Sequence, residues 1–138
     1  MYAINEVSGP DNADLLRYLN DLVPTFPELT DDHLYEGFWW LIQSDETVGF
    51  CGMVPFHPFD GVWYAKRCFL RPSHRGNGLQ IRSLATRELK AREIGGKQIV
   101  SETTNPRSAK NMIAAGFAEV IPEQKWGDHN SRYFAKVL

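Results

Sequence analysis

Cysteine is scarce in this sequence: 138 residues contain two, Cys51 and Cys68, and neither stands at a metal-ligand spacing. That excludes a disulfide scaffold and a cysteine-held zinc cluster. Both read as reduced, half-buried strand residues of a cytoplasmic protein, and no metal is expected. Positive charge is not in excess either. Fifteen Lys and Arg against seventeen Asp and Glu leave a formal charge of -2, so no basic field gathers nucleic acid or an anionic membrane. No apolar run approaches the length that spans a bilayer. The opening "MYAINEVSGPDNADLL" lacks a basic start followed by a long apolar stretch, so no secretory leader is expected. Repeats, low-complexity tracts and linkers are also missing. A single domain over residues 1–138 is the expectation, large enough for one real core.

What is present is a mixed pattern of strands and helices. Tyr2 to Val7 alternates apolar and polar residues as a strand does, and Gly9-Pro10 stops it. Asp11, with Asp14 behind it, reads as a helix cap. Leu15, Leu16, Leu19, Leu22 and Val23 then form an apolar stripe, predicting a helix from about Asp11 to Val23. Thr30 caps a short second helix over "TDDHLYEG". Phe38–Gln43, Thr47–Phe56 and Val62–Leu70 read as an antiparallel meander, the last two joined through the hairpin pair Asp60-Gly61. Ile81, Leu84, Ala85 and Leu89 recur at helical spacing up to Gly95-Gly96. "KQIVSETT" is a strand. Asn105-Pro106 opens a helix that runs to Ala115 and closes at Gly116. "FAEVIPEQ" and "SRYFAKVL" are the last strands. The expected class is α/β (α+β), with about seven strands in a mixed, mostly antiparallel central sheet. The long helix crosses between two parallel strands.

The loop before that helix, Arg75-Gly76-Asn77-Gly78, carries the chemistry. The first N–H groups of a helix have no intrahelical partner and its dipole favours anions there. Glycines let a phosphate lie against the backbone, so the loop reads either as a pyrophosphate cradle or as a plain strand-to-helix turn. It has no Gly-Lys-Ser/Thr, and Ile81 stands where a dinucleotide fingerprint needs its third glycine. A second stretch, "ETTNPRSAKNMIAAGF", follows the next strand. Taken together, from Val62 to Phe117, the two motifs resemble the GNAT family of acetyl-CoA-dependent N-acetyltransferases.

That resemblance implies a fold whose parallel pair splays, a cosubstrate and a set of contacts. The family's Q/R-x-x-G-x-G/A pattern falls on Ser73 to Gly78, with Ser73 in place of Gln or Arg. Backbone amides of Arg75, Gly76, Asn77, Gly78, Leu79 and Gln80 would hold the pyrophosphate of coenzyme A. The pantetheine arm would add to the strand at Cys68, Phe69 and Leu70, and the acetyl group would enter where that strand splays from "KQIVSET". Asn105, Ser108 and Asn111 would flank the pantetheine. Arg75 or Arg107 could pair with a coenzyme phosphate. Met112 stands where many relatives place a tyrosine that protonates the leaving thiolate, so Tyr64, Tyr133 or water would take that role. Direct attack by an amine needs a base. The strand Val62–Leu70 has no acid, which leaves Glu102, then His57 and His129. Of the aromatic cluster before the loop, Trp40 and Tyr64 are the candidates for substrate contact.

Two readings stay open. One is an acetyl-CoA-dependent transferase acting on a primary amine of a small molecule or protein. The other is a catalytically weak module of the same fold that binds coenzyme A or serves as an assembly domain. Neither nucleic acid nor membrane is expected as a partner. Homodimers are common in the family.

Overall fold

Branched and aromatic residues make the first four strands of the chain's first unit. β1 (Ala3–Val7) lies antiparallel on β2 (Phe38–Gln43), with Ala3 opposite Gln43. β2 lies antiparallel on β3 (Thr47–Pro55), with Phe38 opposite Met53. A short strand, here β5 (Cys68–Leu70), pairs antiparallel with β3 on its other side, Gly49 opposite Leu70. This computed structural model describes all residues from Met1 to Leu138. They fall into two compact units, Met1–Val54 with Arg67–Leu79, and Pro55–Lys66 with Gln80–Leu138.

In the first unit, α1 (Ala13–Asp21) and α2 (Asp31–Glu36) accompany the strands. Leu16 and Leu19 of α1 are fully buried, as are Trp39 and Phe50, whose rings stack at 6.4 Å. The expected cap at Asp11 is not formed. Pro10, pre-set for a helical start, opens a 3-10 turn over Pro10–Asn12, and α1 begins after it with no side-chain cap at Asn12. The helix also stops at Asp21, short of Val23, and Leu22 is exposed. Thr30 does cap α2: its hydroxyl accepts from the His33 amide at 3.2 Å.

The predicted strand Val62–Leu70 is two strands. β4 (Val62–Tyr64) pairs in parallel with β6 (Gln98–Thr103), Val62 opposite Gln98. β5 pairs with β3 instead. The meander is therefore β2, β3 and β5, and the parallel pair is β4 and β6. Buried polar chemistry lies at the break. The Arg67 guanidinium is buried and donates to Asn20 Oδ1 at 2.9 Å and to the carbonyls of Pro27 and Glu28 at 3.2 and 3.3 Å. A run such as VWYAKRCFL cannot reveal that its arginine bonds to the Asn20 side chain and to the Pro27 and Glu28 carbonyls. We expect Arg67→Met to cost about 2 kcal/mol, read as a lower urea midpoint, because it strands the buried Asn20 oxygen and loses the two carbonyl bonds.

In the second unit the order is β4-β6-β8-β7, with β8 (Arg132–Val137) antiparallel to both β6 and β7 (Ala118–Val120). The strands total eight rather than seven because of the split just described. The class is the expected one: mixed strands, mostly antiparallel with one parallel pair, flanked by helices. β7 ends before Pro122, which has no N–H for the ladder. α3 (Leu79–Glu93) starts in the last residue of the first unit and continues in the second. Its end is closed by Gly95 and Gly96 amides bonded to Arg92 and Ala91 carbonyls. α4 (Pro106–Ala114) is closed by Gly116.

Candidate functional site

The glycine loop is built as its composition demands. Gly76 and Gly78 have φ of +83° and +70°, a region where L side chains are strained. A Cβ at either position would meet nothing within 4 Å, so backbone conformation and an open approach, not packing, select glycine. The residues Arg75 to Gly78 are exposed, and Leu79, the first residue of α3, is buried. The loop is also held. Asn77 Nδ2 donates to the His74 carbonyl at 3.0 Å and to the Tyr2 hydroxyl at 3.3 Å, and Tyr2 pairs with His74 Nδ1 at 2.9 Å. Arg75 Nε donates to the Leu70 carbonyl at 3.0 Å, which ties the loop to the end of β5. His74 is thus a fixing point of the loop.

Two of the residues matched to the second motif have structural partners. Asn105 is the cap of α4: its Oδ1 accepts from the amides of Arg107 and Ser108 at 2.9 and 3.4 Å. That carbonyl oxygen is committed to the helix end. Asn111 Nδ2 donates to Gln80 Oε1 at 2.7 Å, so the middle of α4 is bound to the first turn of α3. Met112 is buried. Within the first unit, Phe69 is buried and Cys68 and Leu70 are half-buried along β5.

The two predicted catalytic residues touch. The Tyr64 hydroxyl donates to Glu102 Oε1 at 2.9 Å. Lys66 Nζ is 3.0 Å from the same oxygen, and Ser131 donates to Oε2 in a short hydrogen bond. Sheet register explains the convergence. Tyr64 is opposite Val100 and Glu102 is opposite Tyr133, and side chains two residues apart share a face. Lys66 and Ser131 are each two residues along from those pairs. Gly127 completes the site by close approach: a Cβ there would lie 2.6 Å from Glu102 Cδ.

The electrostatics of this cluster differ from those of an acid–base pair. Burial pushes the Glu102 pKa up, but hydrogen bonds from Ser131, Lys66 and Tyr64, with the Lys66 charge, outweigh it and hold the carboxyl below its ordinary range. Burial, the Glu102 charge and the hydrogen bond to Glu102 push the Tyr64 hydroxyl far above its ordinary value. Glu102 is therefore a fixed anion and a weak base. Tyr64 keeps its proton and is a weak acid. Because the folded-state pKa of Glu102 lies below the unfolded value of about 4.3, its contribution to stability is present above that pH and is lost as the pH falls through the folded value. We expect Glu102→Gln to flatten the fall of the urea midpoint on acidification below about pH 5, through the range where the unfolded and then the folded carboxyl takes up its proton.

Other candidates are placed differently. Tyr133 is buried, donates to the Asp128 carbonyl at 2.9 Å and accepts from the Gly127 amide at 3.1 Å. It clasps the last loop instead of offering a proton. His57 and His129 are exposed. Trp40 is buried beside the sheet core, whereas Tyr64 is half-buried. Phe56 contacts Tyr64 at 5.5 Å and Trp126 at 5.1 Å, and Trp126 meets Tyr133 at 4.6 Å, so aromatic rings wall the Glu102 cluster. Sequence reasoning missed Lys66, Trp126, Gly127 and Ser131. Only the β6–β8 register brings the last loop to Glu102, and no local spacing signals it.

The sequence matches the profile described as "Acetyltransferase (GNAT) family" over residues 6–118. A search of curated proteins returns no match. Solved structures share the fold. An IAA acetyltransferase from Bacillus cereus superposes with a TM-score of 0.76 at 12% identity, over 100% of both chains. A ribosomal-protein-alanine N-acetyltransferase from Brucella melitensis gives 0.74 at 20% identity, over 99% of both chains. A Bacillus subtilis acetyltransferase in complex with CoA gives 0.72 at 14% identity, over 99% of this chain and 97% of that one.

Proposed function

We propose that this chain, which belongs to the GNAT acetyltransferase family, transfers an acetyl group from acetyl-CoA directly to a primary amine. The observation that carries the reading is the pair of positive-φ glycines, Gly76 and Gly78, in an exposed loop that runs into α3. Backbone amides from Arg75 to Gln80 would donate to the pyrophosphate oxygens, favoured by the helix dipole. Arg75 would add a charge-assisted contact to a phosphate. The pantetheine would lie along Cys68, Phe69 and Leu70. Asn111, through Gln80, steadies the first turn of α3.

The amine is the nucleophile and coenzyme A thiol the leaving group. A thiol with pKa of about 8.5 leaves as thiolate without strong acid help, so a tyrosine at Met112 is dispensable. The amine must arrive neutral. We assign Glu102 the role of a fixed negative charge that orients the amine, with Tyr64 and Lys66 orienting Glu102. A carboxylate offers about four lone-pair sites. Three donors engage those of Glu102, and one remains for the amine.

The test is a titration of acetyl-CoA followed by a thiol-release assay with a panel of amines, including small polyamines and peptides with a free N-terminal alanine. Saturable binding with amine-dependent thiol release is the expected result. Binding without release from any amine would favour the second reading, a coenzyme A-binding module without turnover. The buried Met112, standing where relatives carry their tyrosine, supports that alternative. No binding to the folded protein would sink the enzyme reading and leave only a domain that keeps the fold for assembly.

A further inference from the structure

The two cysteines face each other across β3 and β5. Cys51 is directly opposite Cys68, so both side chains project from the same face of the sheet. The ladder on either side fixes which kind of pair this is. The Gly52 amide donates to the Arg67 carbonyl at 3.1 Å, and the Arg71 amide donates to the Val48 carbonyl at 2.8 Å. Hydrogen-bonded and non-hydrogen-bonded pairs alternate along an antiparallel ladder. Gly52 with Arg67 and Val48 with Arg71 are hydrogen-bonded pairs, so Cys51 with Cys68 is a non-hydrogen-bonded one. Such pairs bring Cα atoms to about 4.5 Å, at the short end of the range that a disulfide spans, about 4.4 to 6.8 Å.

Access is graded. The structure holds both residues as thiols, Cys51 buried and Cys68 half-buried. A small molecule would reach Cys68 first, and Cys51 would be the resolving thiol behind it.

We propose that Cys51 and Cys68 are a dithiol modification site that small disulfides oxidise reversibly to an intramolecular disulfide. The Cys68 thiolate attacks one sulfur of the small disulfide and expels its first thiol. The Cys51 thiolate then attacks Cys68 Sγ of the mixed disulfide and expels the second. Two protein thiols are oxidised and one small disulfide is reduced to two thiols, so protons and electrons balance. The closed form fastens β5 to β3. The proposal stands on register alone, so failure of acetyl-CoA binding would leave it untouched.

The probe is glutathione disulfide added to the full chain, with alkylation of remaining thiols and mass spectrometry. Wild type is expected to lose both alkylatable thiols, to retain no glutathione, and to give a linked pair of peptides containing Cys51 and Cys68. Dithiothreitol should restore both thiols. Cys51→Ser should stop with one glutathione on Cys68, and Cys68→Ser should leave Cys51 unreacted while near-UV circular dichroism shows the protein folded. A stable glutathione adduct on wild-type Cys68, with Cys51 still alkylatable, would overturn the proposal. So would failure of either thiol to react in the folded protein.

Discussion

Replacing Gly76 by glutamate is expected to weaken acetyl-CoA binding at least about 100-fold, close to 2.7 kcal/mol, in a protein that remains folded. The substitution has two separable effects, one on stability and one on affinity. The first is conformational: a side chain at φ +83° costs about 1–2 kcal/mol of backbone strain. That strain lowers Tm by a few degrees, and nothing clashes, because a Cβ there meets no atom within 4 Å. The second is electrostatic. The glutamate puts a negative charge where we place a pyrophosphate, and each lost charge-assisted hydrogen bond is worth about 1.5–3 kcal/mol. Gly76→Ala separates them. It carries the strain without the charge, so it should share the small Tm loss and keep most of the affinity. Calorimetric titration of all three proteins decides the matter. Equal affinity in wild type and Gly76→Glu would remove the loop from the cofactor site.

Those two glycines were legible in the sequence because backbone geometry is written locally. A residue that must adopt positive φ is usually glycine, and a helix start is marked by an Asn-Pro pair such as Asn105-Pro106. The same local grammar marks the caps at Thr30 and Gly95, and a run rich in aromatic and branched residues marks β2. It failed where the deciding interaction is distant. Val62 to Leu70 reads as one strand, and nothing in it announces that its two ends pair with different strands or that Arg67 between them bonds back to Asn20 and Pro27. At the start of α1 the chain enters through a 3-10 turn opened by Pro10, and no side chain caps the helix at Asn12, so Asp11 does not act as its cap. The candidate site divides along the same line. Its glycine loop is a contiguous motif. Its acidic centre is made from β4, β6 and the loop before β8, and only Glu102 and Tyr64 could be named without the register. Their placement was legible, but their ionisation was not, since it depends on Ser131 and Lys66 reaching one carboxylate.

That ionisation sets the last expectation. Glu102→Gln should lower kcat/KM for amine acetylation about 100-fold, a loss of about 2.7 kcal/mol of transition-state stabilisation, while the acid limb of the pH profile survives. A general base with a pKa near the working pH would produce that limb itself, and its removal would flatten the profile. Glu102 is held below the ordinary carboxylate range and is already ionised across neutral pH, so on the proposed mechanism the limb is expected from the amine shedding its proton. Glutamine keeps one carbonyl oxygen to accept from Tyr64 and turns its NH2 group toward Ser131, whose hydroxyl must then accept, so the variant removes the charge together with one acceptor. Tyr64→Phe should have a smaller effect, about 10-fold or less, because its proton is committed to Glu102 and is held too tightly to protonate a thiolate. The kinetics have three readable outcomes. A vanished limb in Glu102→Gln would make Glu102 the base. An unchanged kcat/KM would make the whole cluster structural. A Tyr64→Phe loss confined to kcat and larger than that of Glu102→Gln would return the acid role to Tyr64. Only a large Glu102→Gln loss with the limb intact agrees with a fixed anion that orients the nucleophile.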